Sequence, residues 1–288
     1  MKKKIIVAAL AATIMLTACS SNGSGRSQSS SKRNDDEIKE EEALETESET
    51  EAPTNTPTLE ENDEKTWTRE GEYIVFGHYE QDGDLSNGPE PIEWEILRKE
   101  KGRMLLVSRY ILDAQHYNTV NTDVTWETCS LRKWLNDDFI STAFNASEQK
   151  EILTVTNTNP DNESYGTKGG NDTEDKVFCL SVEEILDNYE VDQNMCSQAL
   201  VTEVTQYAID KGAWNREITS EYYTAYLEPR GYTDECIGLT SAWWWLRSPG
   251  LNPDSAAYVY YVGDVSTYSD FVDYYFGVRP ALWLDLNS

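Results

Sequence analysis

Thr240-Ser-Ala-Trp-Trp-Trp-Leu-Arg-Ser-Pro-Gly250, followed by Ala256-Ala-Tyr-Val-Tyr-Tyr-Val-Gly-Asp264 and Gly277-Val-Arg-Pro-Ala-Leu-Trp-Leu284, reads as three β segments. Together they hold four of the chain's nine tryptophans. From Val278 onward, Leu282, Leu284 and Leu286 fall on alternate positions, the period of a strand with one buried face. Tyr258 to Val262 is apolar or aromatic on both faces, which predicts a strand deep in a sheet and covered on both sides. A domain of ordinary size can be organised around such a sheet.

The aromatics of this stretch also give the ligand candidates. Neighbours in a strand point to opposite faces, so Trp243 and Trp245 share one side and Trp244 takes the other. One face belongs to the core; the other, with Trp243, Trp244, Trp245, Tyr258 and Tyr260 as candidate ligand contacts, can be an aromatic platform that stacks on sugars or peptides. Core packing on both faces is the competing reading. Arg247 and Arg279 lie among these residues and are expected to pair with carboxylates inside the sheet.

Upstream, Tyr73–Gly77, Ile92–Leu97 and Met104–Ser108 read as strands. A turn-rich connection at Gln81–Pro89 joins the first two. Leu131, Trp134, Leu135 and Phe139 form one apolar helical stripe. Asn145-Ala-Ser-Glu148 and Ser181-Val-Glu-Glu184 are capping-box starts, the first for a helix towards Leu153. Val204, Tyr207 and Ala208 suggest a further helix, stopped by Gly212. The polar run 157–176 reads as an exposed loop. Strands followed by short helices make the class α+β.

The N-terminus sets location. Lys2, Lys3 and Lys4 precede an apolar run, Ile5 to Leu16, that is shorter than the about 20 residues needed to span a bilayer. It ends in Leu16-Thr17-Ala18-Cys19, which resembles a bacterial lipobox. The resemblance implies cleavage before Cys19 and lipidation of that residue, with the membrane as a partner through the lipid. Buried acyl chains contribute about 0.8 kcal/mol per CH₂, so several chains anchor where one is marginal. The predicted organisation is a signal peptide over 1–18, a lipidated and disordered acidic linker over 19–65, and a globular domain over 66–288. Residues 34–65 carry 14 acidic and two basic side chains with no aromatic residue, a composition that cannot form a core.

Residues 66–288 carry 38 acidic and 16 basic side chains, a formal −22. Such a field repels phosphate backbones, so no nucleic-acid partner is expected. It favours cations. In Asp82-Gly-Asp84-Leu-Ser86, with Glu93 eleven positions after Asp82, carboxylates and a hydroxyl fall at EF-hand positions, making Asp82, Asp84 and Glu93 a candidate Ca²⁺ set. Asn87 stands where that loop needs glycine and Pro89 and Pro91 interrupt it, which favours a hairpin turn. Asp161, Glu163, Asn171, Asp172 and Asp175 offer oxygen ligands without a fixed spacing.

Motifs for catalysis are sparse. The chain has two histidines, His78 and His116, and neither belongs to a zinc-protease, serine-hydrolase or phosphate-loop pattern. His78 is expected to pack at a strand end. Cys129, Cys179, Cys196 and Cys236 contain no C-x-x-C pair, so they read as two disulfides or as buried free thiols.

Three blocks carry a family resemblance: Phe76-Gly-His-Tyr with Pro91-Ile-Glu-Trp94; Thr125-Trp-Glu with Leu131-Arg-Lys-Trp-Leu-Asn136, Ala143-Phe144 and Glu148-Gln149; and Trp244-Trp-Leu-Arg-Ser-Pro249 with Gly277-Val-Arg-Pro-Ala-Leu282. Together they resemble the DUF6273 domain of Firmicutes lipoproteins. The Gly-Val-Arg-Pro ending also resembles the C-type-lectin-like fold shared with formylglycine-generating enzymes, which implies a twisted antiparallel sheet flanked by helices and preceded by the disordered tether. The closely spaced cysteine pair of those enzymes is missing here. Two functions follow: a non-enzymatic surface module binding a glycan, peptide or protein without a cofactor, or an extracellular enzyme of unassigned chemistry on that fold.

Overall fold

A computed structural model describes residues 68–70, 73–189, 191 and 195–287. The expected signal peptide, the expected lipidation site Cys19 and the expected disordered linker lie outside the described residues. The described residues belong to one compact unit.

The strands run β1 (Thr68–Glu70), β2 (Tyr73–Tyr79), β3 (Glu90–Glu100), β4 (Arg103–Ser108), β5 (Asp113–His116), β6 (Val155–Asn157), β7 (Thr173–Asp175) and β8 (Val177–Phe178). They continue with β9 (Asn215–Glu217), β10 (Thr240–Ala242), β11 (Trp244–Pro249), β12 (Ser255–Val259), β13 (Val265–Phe271), β14 (Tyr275–Val278) and β15 (Ala281–Asp285). A six-stranded sheet is ordered β1-β2-β3-β4-β15-β8, and a five-stranded sheet β13-β12-β11-β14-β5. Pairs β9/β10 and β6/β7 form separate ribbons. The ladders are antiparallel apart from β11 with β14. With short helices around mostly antiparallel sheets, the domain is α+β.

The stretch from Val278, read as one strand with one buried face, is two strands in two sheets. Pro280 has no N–H to continue a ladder. Its carbonyl accepts from Ser108 N (2.9 Å), while Val278 O accepts from Leu112 N (3.0 Å), so the chain changes sheet at Arg279-Pro280. Beyond the break, β15 lies between β4 and β8 and residues Ala281 to Leu284 are buried on both faces. Arg279 sits at the crossover, 3% exposed. Its Nη2 reaches Glu95 Oε2 at 2.7 Å, Nε donates to Ser108 O at 2.8 Å, and the guanidinium carbon lies 5.3 Å from the Trp244 ring centroid. Arg247, equally buried, pairs with Glu184 and donates to Cys179 O at 3.0 Å.

The helical stripe lands as expected. Ser130–Trp134 runs through a π turn, Leu135–Phe139, into Ile140–Ala143, and it buries Leu131, Leu135 and Phe139. The Asn145 box forms, with Glu148 N donating to Asn145 Oδ1 (3.0 Å) and Asn145 N to Glu148 Oε2 (2.7 Å). Its helix stops at Glu151, short of Leu153, because Ile152 bridges to Leu284 in β15. Ser181 caps Val182–Asn188 reciprocally with Glu184. The helix before Gly212 is Gln206–Asp210; Val204 lies outside it, bridged to Ile111.

Two expectations need correction, and one open choice is decided. The run 157–176 is not a free loop: Asn157, Asn159, Asn162 and Thr173 are buried. Asn162 Nδ2 donates to the Pro249, Gly250 and Thr267 carbonyls, replacing water with main chain. His78 is exposed, because the β2–β3 register shifts between Val75 and His78. Gly77 carries that shift at φ +71, where a Cβ would strike the Phe144 ring. Of the two readings of the domain cysteines the thiol one holds: all four are buried and none is in a disulfide. Burial pushes the Cys129 thiol up to about 12.

Candidate functional site

The five-stranded sheet positions an aromatic cleft at one end of β11. β9 pairs with β10 so that Asn215 faces Ala242, and Trp243 N donates to Trp214 O at 3.1 Å. Trp243 O in turn accepts from Gly277 N (2.7 Å), which ties the residue before β11 to β14. After β12 the chain makes a tight turn: Gly263 N donates to Tyr260 O and Tyr260 N to Asp264 O, each at 2.8 Å. Gly263 holds φ +83 and packs where a Cβ would collide with Ser197 O, so glycine is required for the turn. Beneath it, Ile218, Leu227, Tyr232, Cys236, Tyr261 and Val262 form a small core of their own, with Trp243 packed against it.

The result is a cleft of about 720 Å³ whose walls include Trp214, Trp243, Tyr222, Tyr260 and Tyr261. Trp214 and Trp243 meet edge to face, with ring centroids 6.3 Å apart at 89°. Trp243 lies 4.9 Å from Tyr261 and 5.5 Å from Tyr260. Trp214 is 48% exposed and Tyr260 36%. Asn215, Arg216 and Asp264 bring polar groups to the same walls. Arg216 sits 5.7 Å over the Tyr261 ring, and its hydrogen bond to that phenol holds it above the ordinary arginine value. Burial, with a hydrogen bond to Tyr261, pushes the Tyr222 phenol up. Asp264 is held by both terminal nitrogens of Arg230. The cleft therefore presents phenols, two indoles, the Arg216 guanidinium and the Asp264 side chain. Such walls stack on C–H-rich faces while the edge groups orient hydroxyls or amides.

Of the residues marked from sequence, Trp243 and Tyr260 reach this cleft. Trp244 and Trp245 are fully buried and Tyr258 is 4% exposed, so all three belong to the core and cannot stack on a ligand. The strand begins at Trp244, which frees Trp243 from the alternation and leaves both faces of β11 packed. Trp214, Asn215, Arg216 and Tyr222 were not marked. The one local signal was a tryptophan in the polar run Gly212-Ala-Trp-Asn-Arg-Glu217.

The candidate Ca²⁺ set does not assemble as drawn. Glu93 turns away to pair with Arg109, and Asp84 Oδ1 caps Ser86 N at 3.0 Å. Asp82 instead meets Glu80 and Glu90, whose ligand oxygens all lie within 4.8 Å of one another. These carboxylates brace the hairpin: Gln81 N donates to Glu90 Oε2 (2.7 Å), Gly83 N to Glu80 Oε1 (2.8 Å) and Asp84 N to Asp82 Oδ1 (2.7 Å). In the second acidic segment, Asp161 pairs with Lys168. Asp175 is buried, accepting from Trp126 Nε1 (3.1 Å), Asn157 Nδ2 (3.0 Å) and Thr173 Oγ1 (2.7 Å) besides its pair with Arg132.

Among the described residues no helix is long and apolar enough to cross a membrane. The family model described as "Domain of unknown function (DUF6273)" matches residues 101–286, and the chain belongs to that family. No curated protein and no solved structure matches the chain.

Proposed function

We propose that this DUF6273 protein is a lipid-anchored module on the extracytoplasmic face of the cell membrane, and that its domain binds a glycan in the aromatic cleft. The carrying observation is the half-exposed Trp214 and Tyr260 beside Trp243 around a cleft of about 720 Å³. Exposed aromatics next to fixed polar groups are the arrangement that sugar faces fill, and a peptide side chain is the competing occupant. The lining holds one carboxylate, Asp264, already engaged by Arg230, which favours binding over acid–base chemistry. The Trp-rich strand and the Gly277-Val-Arg-Pro280 ending support assigning the domain to the C-type-lectin-like architecture. The lipobox at Leu16–Cys19 supports the anchor.

The test is a screen of glycans and cell-wall fragments against residues 61–288, with and without Ca²⁺. A saturable glycan hit lost in Trp214→Ala supports the reading. Hits confined to peptides move the ligand class, and hits that Trp214→Ala leaves unchanged remove the cleft from the account. Requirement for Ca²⁺ would assign the Glu80–Asp82–Glu90 cluster a cation. For the anchor, cells expressing Cys19→Ala are fractionated: release from the membrane is expected, and full retention contradicts lipidation.

A further inference from the structure

Three arginines converge in a domain whose side chains are otherwise strongly acidic. Arg98 and Arg103, on the β3–β4 hairpin, join Arg247 of β11 and Trp283 of β15 around a cleft of about 450 Å³. Three of its lining side chains are cationic and one, Glu184, is anionic. Across residues 66–288 the balance is the reverse, 38 acidic to 16 basic. The cleft is therefore a local inversion of the domain's field. It shares no lining residue with the aromatic cleft.

The floor is Trp283, 6% exposed, with the Arg103 guanidinium carbon 4.2 Å and that of Arg98 5.5 Å from its ring centroid. Stacking fixes the planes of two otherwise flexible side chains. Both turn to one carboxylate: Arg98 Nε lies 3.0 Å from Glu100 Oε1 and Arg103 Nη2 3.0 Å from Glu100 Oε2. The first contact has ion-pair distance but not hydrogen-bond geometry, so Arg98 Nε keeps an unfilled donor. One carboxylate cannot neutralise two guanidinium groups, and their side chains remain 40% and 41% exposed. On the buried side, Arg247 is 4% exposed and its charge is shared between Glu184 and the Cys179 and Thr158 carbonyls, while its Nε finds no partner. The segment Thr154–Thr158 closes the cleft, with the Thr156 hydroxyl and the Asn157 amide already donating to Glu174 and Asp175.

We propose that this cleft is an oxyanion site, in which a carboxylate or phosphate group lies against Arg98 and Arg103 above Trp283 and Arg247 supplies positive potential from the buried side. Forked N–H donors match the paired oxygens of both groups, and an arginine cannot lose its charge to escape the site. Glu100 occupies Arg103 Nη2 and lies at ion-pair distance from Arg98 when no ligand is bound, so the incoming anion competes with it.

The experiment is calorimetric titration of the purified full-length chain with inorganic phosphate and with acetate, each at constant ionic strength against chloride. Saturable binding of either anion above the chloride control is expected, and which anion binds identifies the group. The double variant Arg98→Gln, Arg103→Gln should bind about tenfold more weakly, as expected for losing charged hydrogen bonds. Its melting temperature without anion should fall only slightly, since the side chains keep 40% and 41% of their area in water and share a single carboxylate. Glu100→Gln should bind several-fold more tightly, because the competing carboxylate is gone. No saturable binding by either anion overturns the proposal. So does wild-type affinity in the double variant, or a Glu100→Gln affinity equal to or below wild type.

Discussion

Trp245 and Trp214 approach the same ring, Phe276, at centroid distances of 4.5 and 5.4 Å, yet one is fully buried and the other 48% exposed. Trp245 belongs to β11, inside the five-stranded sheet, and its Nε1 donates to Gln115 O at 3.0 Å. Trp214 precedes the short ribbon β9–β10 and leaves part of its indole in the cleft. The pair shows that residue type does not assign a role. Position in the ladder does: the interior strand buries its aromatics, and the rim leaves Trp214 and Tyr260 partly in solvent.

Breaking the interior side should have the largest effect. Trp245→Ala removes a fully buried indole and should cost about 3–5 kcal/mol, measured by denaturant unfolding. Arg279→Ala should fall near the lower end of about 3–5 kcal/mol, because its partner Glu95 keeps 34% of its side chain in water and can rehydrate. Stability unchanged in either variant would dissolve the distinction between core and rim.

Gly263→Ala probes the hinge between the two regions. The turn demands positive φ and close approach to Ser197, so a loss of about 1–3 kcal/mol is expected, together with loss of cleft binding. A variant that keeps full stability would show that the turn relaxes freely.

Much of the interior was legible in the sequence. Capping boxes at Asn145 and Ser181, the Leu131–Phe139 stripe and the β2–β4 strands all follow from local chemistry, and so does the burial of Arg279. The rest depended on partners distant in sequence. Nothing local shows that the chain changes sheet at Pro280 until Ser108 and Leu112 are placed beside it. Both faces of β11 are packed, so alternation could not tell which tryptophan reaches solvent. Trp214 becomes a cleft residue only through the pairing of β9 with β10, and Glu93 leaves its acidic loop for Arg109.

A smaller effect should come from Asp113, buried at the start of β5 on the edge of the five-stranded sheet. Burial raises its carboxyl above the ordinary value, while hydrogen bonds from Tyr79 (2.5 Å), Gln115 (2.9 Å) and Ala114 N (2.7 Å) oppose the shift. The folded state holds the proton more tightly than the unfolded one. Its contribution is therefore complete below the unfolded value of about 3.9 and is lost as pH rises through the raised folded value. Unfolding free energies of wild type and Asp113→Asn, measured across that window, should differ in slope in this sense; parallel curves would contradict it.

Trp214→Ala should cost less stability than the interior substitutions, about 1–2 kcal/mol, because 48% of the residue is already in water while its ring packs on Trp243, Tyr274 and Phe276. Its larger consequence should appear in binding. The decisive measurement is the affinity of this variant and of wild type for one glycan ligand, taken at a temperature where both proteins are fully folded. Losing one aromatic stack, worth about 0.5–1.5 kcal/mol beyond area burial, should weaken binding up to about tenfold with the fold intact. Equal affinity for the two proteins would contradict the claim that the rim aromatics bind the ligand.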